Sequence, residues 1–128
     1  MKLNVLLTIS AVYLALVGLG FLFAPTAIMF GTVEAGASAA LIANLRGPAS
    51  TFIAIAVMNW VARNAEASTA RNAIVLANTV GFGLAGILDV LAVVSGAPAI
   101  ELIPAIINLL IAAAFFWIGR ANMSAKTS

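Results

Sequence analysis

Charged and amide side chains are scarce in this chain, so each one within an apolar segment narrows the chemistry open to it. Arg46 stands in "NLRGPAS" (residues 44–50), at the entrance to a long apolar run, and Asp89 is the one acid well inside such a run. Glu101 opens another. Asn59, Asn78 and Asn108 each interrupt a hydrophobic stretch. Carboxylate, guanidinium and amide groups at membrane depth can form ion pairs, bond helix to helix, or hold the polar end of a ligand. There is no Cys and no His, so disulfides, thiolate nucleophiles, imidazole bases and His-ligated metals are excluded. No phosphate loop, nucleophile elbow or metal-ligand cluster occurs, and no residue is assigned a catalytic or metal-binding role.

These groups must be positioned by membrane spans. Of 128 residues, 64% are hydrophobic and 8% charged, against about 25% charged in an average soluble domain. A span needs about 20 predominantly apolar residues. Residues 3–23, 38–63, 72–94 and 102–119 meet this, with a polar tail at 120–128 that reads as frayed. The N-terminal run follows Lys2 like a signal peptide. It is too long for a signal core and has no A-x-A site, so it reads as a retained span. The second helix is expected to start near Ser38 and bend at Pro48, which leaves the Asn44 carbonyl without an N–H donor. "SGAP" (residues 95–98) reads as a tight turn. The expected fold is all-α, a four-helix transmembrane bundle forming one domain, with a longer first outer loop at residues 24–44.

Charge sets the orientation. With four alternating spans, Lys2, Arg63, Arg71, Arg120 and Lys126 fall on one side, and Arg46, Glu34 and Glu101 on the other. The positive-inside rule then makes both termini cytoplasmic. The basic residues are dispersed topology signals rather than a phosphate-binding patch for nucleic acid.

Depth brings the scattered charges together. At 1.5 Å per residue, Arg46 lies about 25 Å above Arg63, Asp89 about 27 Å above Arg71, and Glu101 about 28 Å above Arg120. All three reach the outer edge of the hydrocarbon core. The expectation is that Arg46 and Asp89 form an ion pair across the second and third spans, with Glu101 close by. Asn78 and Asp89, eleven residues apart, return to one helix face within about 20°. On the fourth span, Glu101, Pro104, Asn108, Ala112 and Phe115 share a face. Asn59 and Asn78 lie at comparable inner depths, placed to bond to each other as helix–helix contacts. Tyr13 reads as a packed aromatic.

An internal echo links the two halves: "VGLG" (17–20) recurs as "VGFG" (80–83), and "WVARN" as "WIGRAN", each after a proline, Pro48 or Pro104. Parallel repeats of this kind occur in transporters. The same W-x-x-R pattern also suits an interfacial aromatic with a snorkelling arginine.

Several of these features occur together in one known group. A first span ending in "FLFAP", "LRG" (45–47) entering the second, an N-W-x-x-R exit at 59–63, an acid late in the third and a W-x-x-R close resemble DoxX-like bacterial membrane proteins. Arg46, Asn59 and Asp89 are the matching positions. The resemblance covers most of the chain and implies a four-helix bundle, multi-pass in the bacterial inner membrane. DoxX itself is associated with a quinol-oxidising complex, so the resemblance also allows a subunit of such a complex.

The leading expectation is a non-enzymatic accessory or binding subunit. Its outer polar cluster (Arg46, Asp89, Glu101, Asn108) would engage a lipid, a quinone-like molecule or a protein partner. Asn59 and Asn78 would be inner polar contacts. Membrane lipids, a homo-oligomer or a larger membrane complex are the expected partners, with no nucleic acid and no resident cofactor beyond a quinone or lipid. A proton- or cation-coupled transporter using Asp89 as an oligomer is the alternative.

Overall fold

The structure is a computed structural model, and it describes residues 1–29, 33–34 and 36–124. Lys126 and part of the first outer loop, two regions named above, lie outside the described residues. Among the described residues five α-helices occur: α1 (Leu3–Phe23), α2 (Pro25–Ile28), α3 (Ala39–Ala62), α4 (Thr69–Val94) and α5 (Leu102–Ser124). A 3₁₀ turn, Ala99–Glu101, leads into α5. Four of the helices are long and apolar enough to cross a membrane, making this a small multi-pass integral membrane protein by length and composition.

Local chemistry sets the helix ends. α1 stops at Ala24, ahead of Pro25, which occupies the first turn of the short α2, where its missing N–H costs nothing. Ser38 and Ser68 cap α3 and α4, their hydroxyls accepting from the Leu41 and Arg71 amides at 3.2 Å each. The Ser68 cap starts α4 three residues ahead of the expected 72. α3 continues helical through Pro48. α4 ends in a Schellman motif. There the Ala97 amide bonds the Ala92 carbonyl at 2.9 Å, and the Gly96 amide bonds that of Val93 at 3.0 Å. Gly96 has φ +107°, a conformation that only glycine adopts without strain. α5 runs past the expected 119, through Gly119, to Ser124; Asn122 Nδ2 donates to the Ile118 carbonyl at 2.7 Å.

The bundle consists of two helix pairs. α1 packs along α3 and α4 along α5, whereas α1 with α5 and α3 with α4 meet only briefly. Small residues permit the close pairings. A Cβ on Gly18 would stand 3.3 Å from the Ala49 carbonyl oxygen of α3, and one on Gly86 3.0 Å from that of Ala105 on α5. Leu6, Leu7, Val75 and Phe115 are buried in the core. Most outward positions, Leu16, Leu84, Leu110 and Trp117 among them, are exposed and apolar, as a lipid-facing surface requires.

The echo between the halves matches this division into pairs but not the packing residues. Gly18 sits in the α1–α3 contact, while its counterpart Gly81 would have open space around a Cβ. Trp60 and Trp117 are both exposed. The Arg63 guanidinium lies 3.5 Å over the Trp60 ring, and its Nη1 donates to the Trp60 carbonyl at 2.6 Å. The W-x-x-R spacing thus lays the arginine over the tryptophan one turn before it.

Candidate functional site: a cavity between the helix pairs

Between the two helix pairs lies an open-sided cavity of about 530 Å³. α1 contributes Tyr13, Val17 and Phe21, and α3 contributes Phe52, Ile55 and Met58. From α4 come Asn78, Gly81, Phe82 and Asp89, and from α5 Pro104 and Asn108, with Glu101 just before it. The volume suits a small organic molecule. Ala77 and Gly81 on α4 and Ile103 and Ile107 on α5 line it yet are exposed, so it opens on the apolar flank of the bundle.

The cavity has a polar floor. Asn59 of α3 and Asn78 of α4 exchange two hydrogen bonds of 2.8 Å, each amide both donating and accepting. Asn59 Nδ2 also donates to Ser10 Oγ of α1 at 3.0 Å, and Asn78 Nδ2 to the Ile74 carbonyl at 2.8 Å. The Asn59 and Ser10 side chains are fully buried and Asn78 nearly so. Burying these groups costs little because each finds a partner, and the bonds tie three helices at one level.

A second polar chain crosses the wall further out. Tyr13 Oη donates to Asn108 Oδ1 at 3.2 Å, and Asn108 Nδ2 donates to Asp89 Oδ2 at 3.0 Å. Asn108 is buried, while Tyr13 and Asp89 are half-buried. The Tyr13 ring also lies tilted against Phe82, which stacks on Phe115, each pair 6.1 Å between ring centroids. Glu101 is half-buried and also lines the cavity.

The sequence-selected residues therefore divide. Asp89, Glu101, Asn108 and Asn78 line one cavity, and Asn59 braces its floor. Arg46 is exposed on α3 and does not line the cavity. Among the described residues no ion pair joins it to Asp89, whose partner is Asn108 of α5. The reason is helix adjacency: α4 lies along α5, whereas α3 and α4 meet only briefly. Equal depth placed Arg46 and Asp89 at one level on helices that are apart there. Sequence reasoning missed Tyr13 and Ser10 as polar partners. The signal for Tyr13 was available, since a tyrosine in mid-span needs a partner for its hydroxyl.

Among the described residues, the ionisable carboxyls lining the cavity are those of Asp89 and Glu101, and no Lys or Arg lines it. Asp89 Oδ2 is engaged by Asn108, so its second oxygen can accept from a guest. Among the described residues no group of three His, Cys, Asp or Glu could hold a metal ion. Compared with known proteins, the chain matches no family model, no curated protein and no solved structure.

Proposed function

We propose that this protein is a membrane binding or accessory subunit that takes up a small amphiphile from the bilayer between its two helix pairs. The ligand's apolar body lies along Phe52, Ile55 and Phe82, and its polar end meets the Tyr13–Asn108–Asp89 chain. The observation that carries this reading is the apolar cavity, crossed by one connected polar chain and open on the lipid-facing flank. Its carboxylates accept hydrogen bonds, so the favoured guest presents a hydroxyl or amine donor. Among quinone-like molecules the quinol form fits better than the quinone. In this reading both termini are cytoplasmic and the chain sits in a bacterial inner membrane.

The test is equilibrium binding of a short-chain quinol analogue and its oxidised quinone to protein in maltoside micelles. Saturable quinol binding is expected. Asp89→Asn weakens it about tenfold or more, the lower range for a hydrogen bond to a charged group. Gly81→Leu, which projects a side chain into open cavity space, abolishes it without unfolding the bundle. Quinol binding unaffected by both changes, or no binding at all, refutes this site for such ligands.

A second reading, cation- or proton-coupled transport, is favoured by Asp89 facing a cavity between two helix pairs that touch sparingly. Proteoliposome flux abolished by Asp89→Asn would select it over simple binding.

A further inference from the structure

The end of the bundle that carries the chain terminus and the excess of basic residues holds a second, chemically opposite depression. It is lined by Lys2 and Asn4 at the start of α1, Arg63 at the end of α3, Arg71 in the first turn of α4 and Asn122 near the end of α5. All four spanning helices converge there. Three cations line it with no acid among them, and among the described residues none of the three makes an ion pair with a carboxylate. Like charges gathered this way repel unless an anion neutralises them.

Both arginines are held by backbone carbonyls rather than left free in solvent. Arg63 bonds the Trp60 carbonyl and stacks on the Trp60 ring, and Arg71 Nη1 donates to the Ala65 carbonyl at 3.1 Å. Two guanidinium groups are thus fixed at the rim of one depression, with N–H donors to spare. Separately, Arg71 Nε is buried and, among the described residues, has no hydrogen-bond partner. A buried donor on a charged group is costly to leave unpaired. An acceptor-rich anion in the depression would accept from the remaining guanidinium N–H groups and offset the repulsion. Arginine's planar fork matches phosphate oxygens in two-point contact, and basic pockets between membrane helices suit lipid headgroups.

We propose that Lys2, Arg63 and Arg71 form a phosphate-binding site that seats the phosphodiester headgroup of an anionic lipid. It lies at the opposite end of the bundle from Asp89 and stands independently of the amphiphile site. Because Arg63 rests on Trp60, occupancy alters the fluorescence of that indole, which a Trp117→Phe background isolates.

The experiment titrates phosphatidylglycerol, phosphatidylcholine of matched chains, and inorganic phosphate into the purified protein in maltoside micelles. Phosphatidylglycerol is expected to change Trp60 emission saturably, at a concentration about tenfold below phosphatidylcholine. Arg71→Gln and Lys2→Gln each raise the half-saturation point about tenfold, the size expected for losing one charge-assisted hydrogen bond. Arg120→Gln, an exposed cation at the same end but outside the depression, leaves it unchanged. If Arg71→Gln loses helicity by circular dichroism, the exposed Lys2 carries the test. Inorganic phosphate that saturates the same signal and displaces the lipid supports the site with a free anion as its ligand. Equal response to both lipids without any phosphate response, or equal weakening by Arg120→Gln, overturns the proposal.

Discussion

Replacing Asn59 by leucine tests whether the amide pair holds the two halves of the bundle together. The substitution keeps side-chain size but removes three interhelical bonds, one of 3.0 Å to Ser10 and two of 2.8 Å to Asn78. Interhelical hydrogen bonds in membranes contribute about 0.6 kcal/mol on average and at most about 1.7. The expected destabilisation is therefore about 2 kcal/mol and no more than about 5. Asn78 keeps its bond to the Ile74 carbonyl, which limits the penalty for the group left behind. The assay is reversible unfolding in mixed micelles, run as a double-mutant cycle with Asn78→Leu. Because two of the bonds are shared, the coupling should be about 1 kcal/mol. Additivity within about 0.3 kcal/mol would refute the reasoning. So would an Asn59→Leu protein as stable as wild type. Since this pair also forms the cavity floor, the same substitution should weaken ligand binding by quinol titration.

Other outcomes follow from packing and capping. Gly18→Ala should destabilise by about 1–3 kcal/mol in the same unfolding assay, because its Cβ would meet Ile53 Cγ1 at 2.8 Å and the Ala49 carbonyl oxygen at 3.3 Å. Gly81→Ala, with nothing within 4 Å, should instead be neutral or stabilising by up to about 1 kcal/mol, from helix propensity. Equal costs at the two glycines would remove the case for close packing between α1 and α3. Ser68→Ala should cost about 1 kcal/mol by removing the α4 cap, read as faster amide exchange over its first turn.

The number and placement of the spans were legible in the sequence because they depend on local properties. An apolar run long enough to cross a bilayer must satisfy its backbone internally, so it becomes a helix whatever its neighbours do. The expected 3–23 and the observed Leu3–Phe23 coincide for that reason. Ser38 and the Ser95–Gly96 turn act over a few residues and were equally readable. Depth along a helix is also a local quantity, since rise per residue is fixed. It placed Asn59 level with Asn78, and they bond.

Depth alone could not say which helix lies beside which. Asp89 and Arg46 share a level, yet the Asp89 carboxylate meets Asn108 because α4 pairs with α5. In lipid, outward and inward faces are both apolar, so periodicity carries little information on how each helix is rotated or what it adjoins. Pairing is decided instead by close-approach sites such as Gly18 and Gly86, and by the few polar groups that must find one another. The sequence determined a four-span membrane protein and the depth of each polar residue. Only the tertiary structure turned those depths into a cavity with Tyr13, Asn108 and Asp89 on its wall, because the order of helices around a bundle is set by contacts between distant residues.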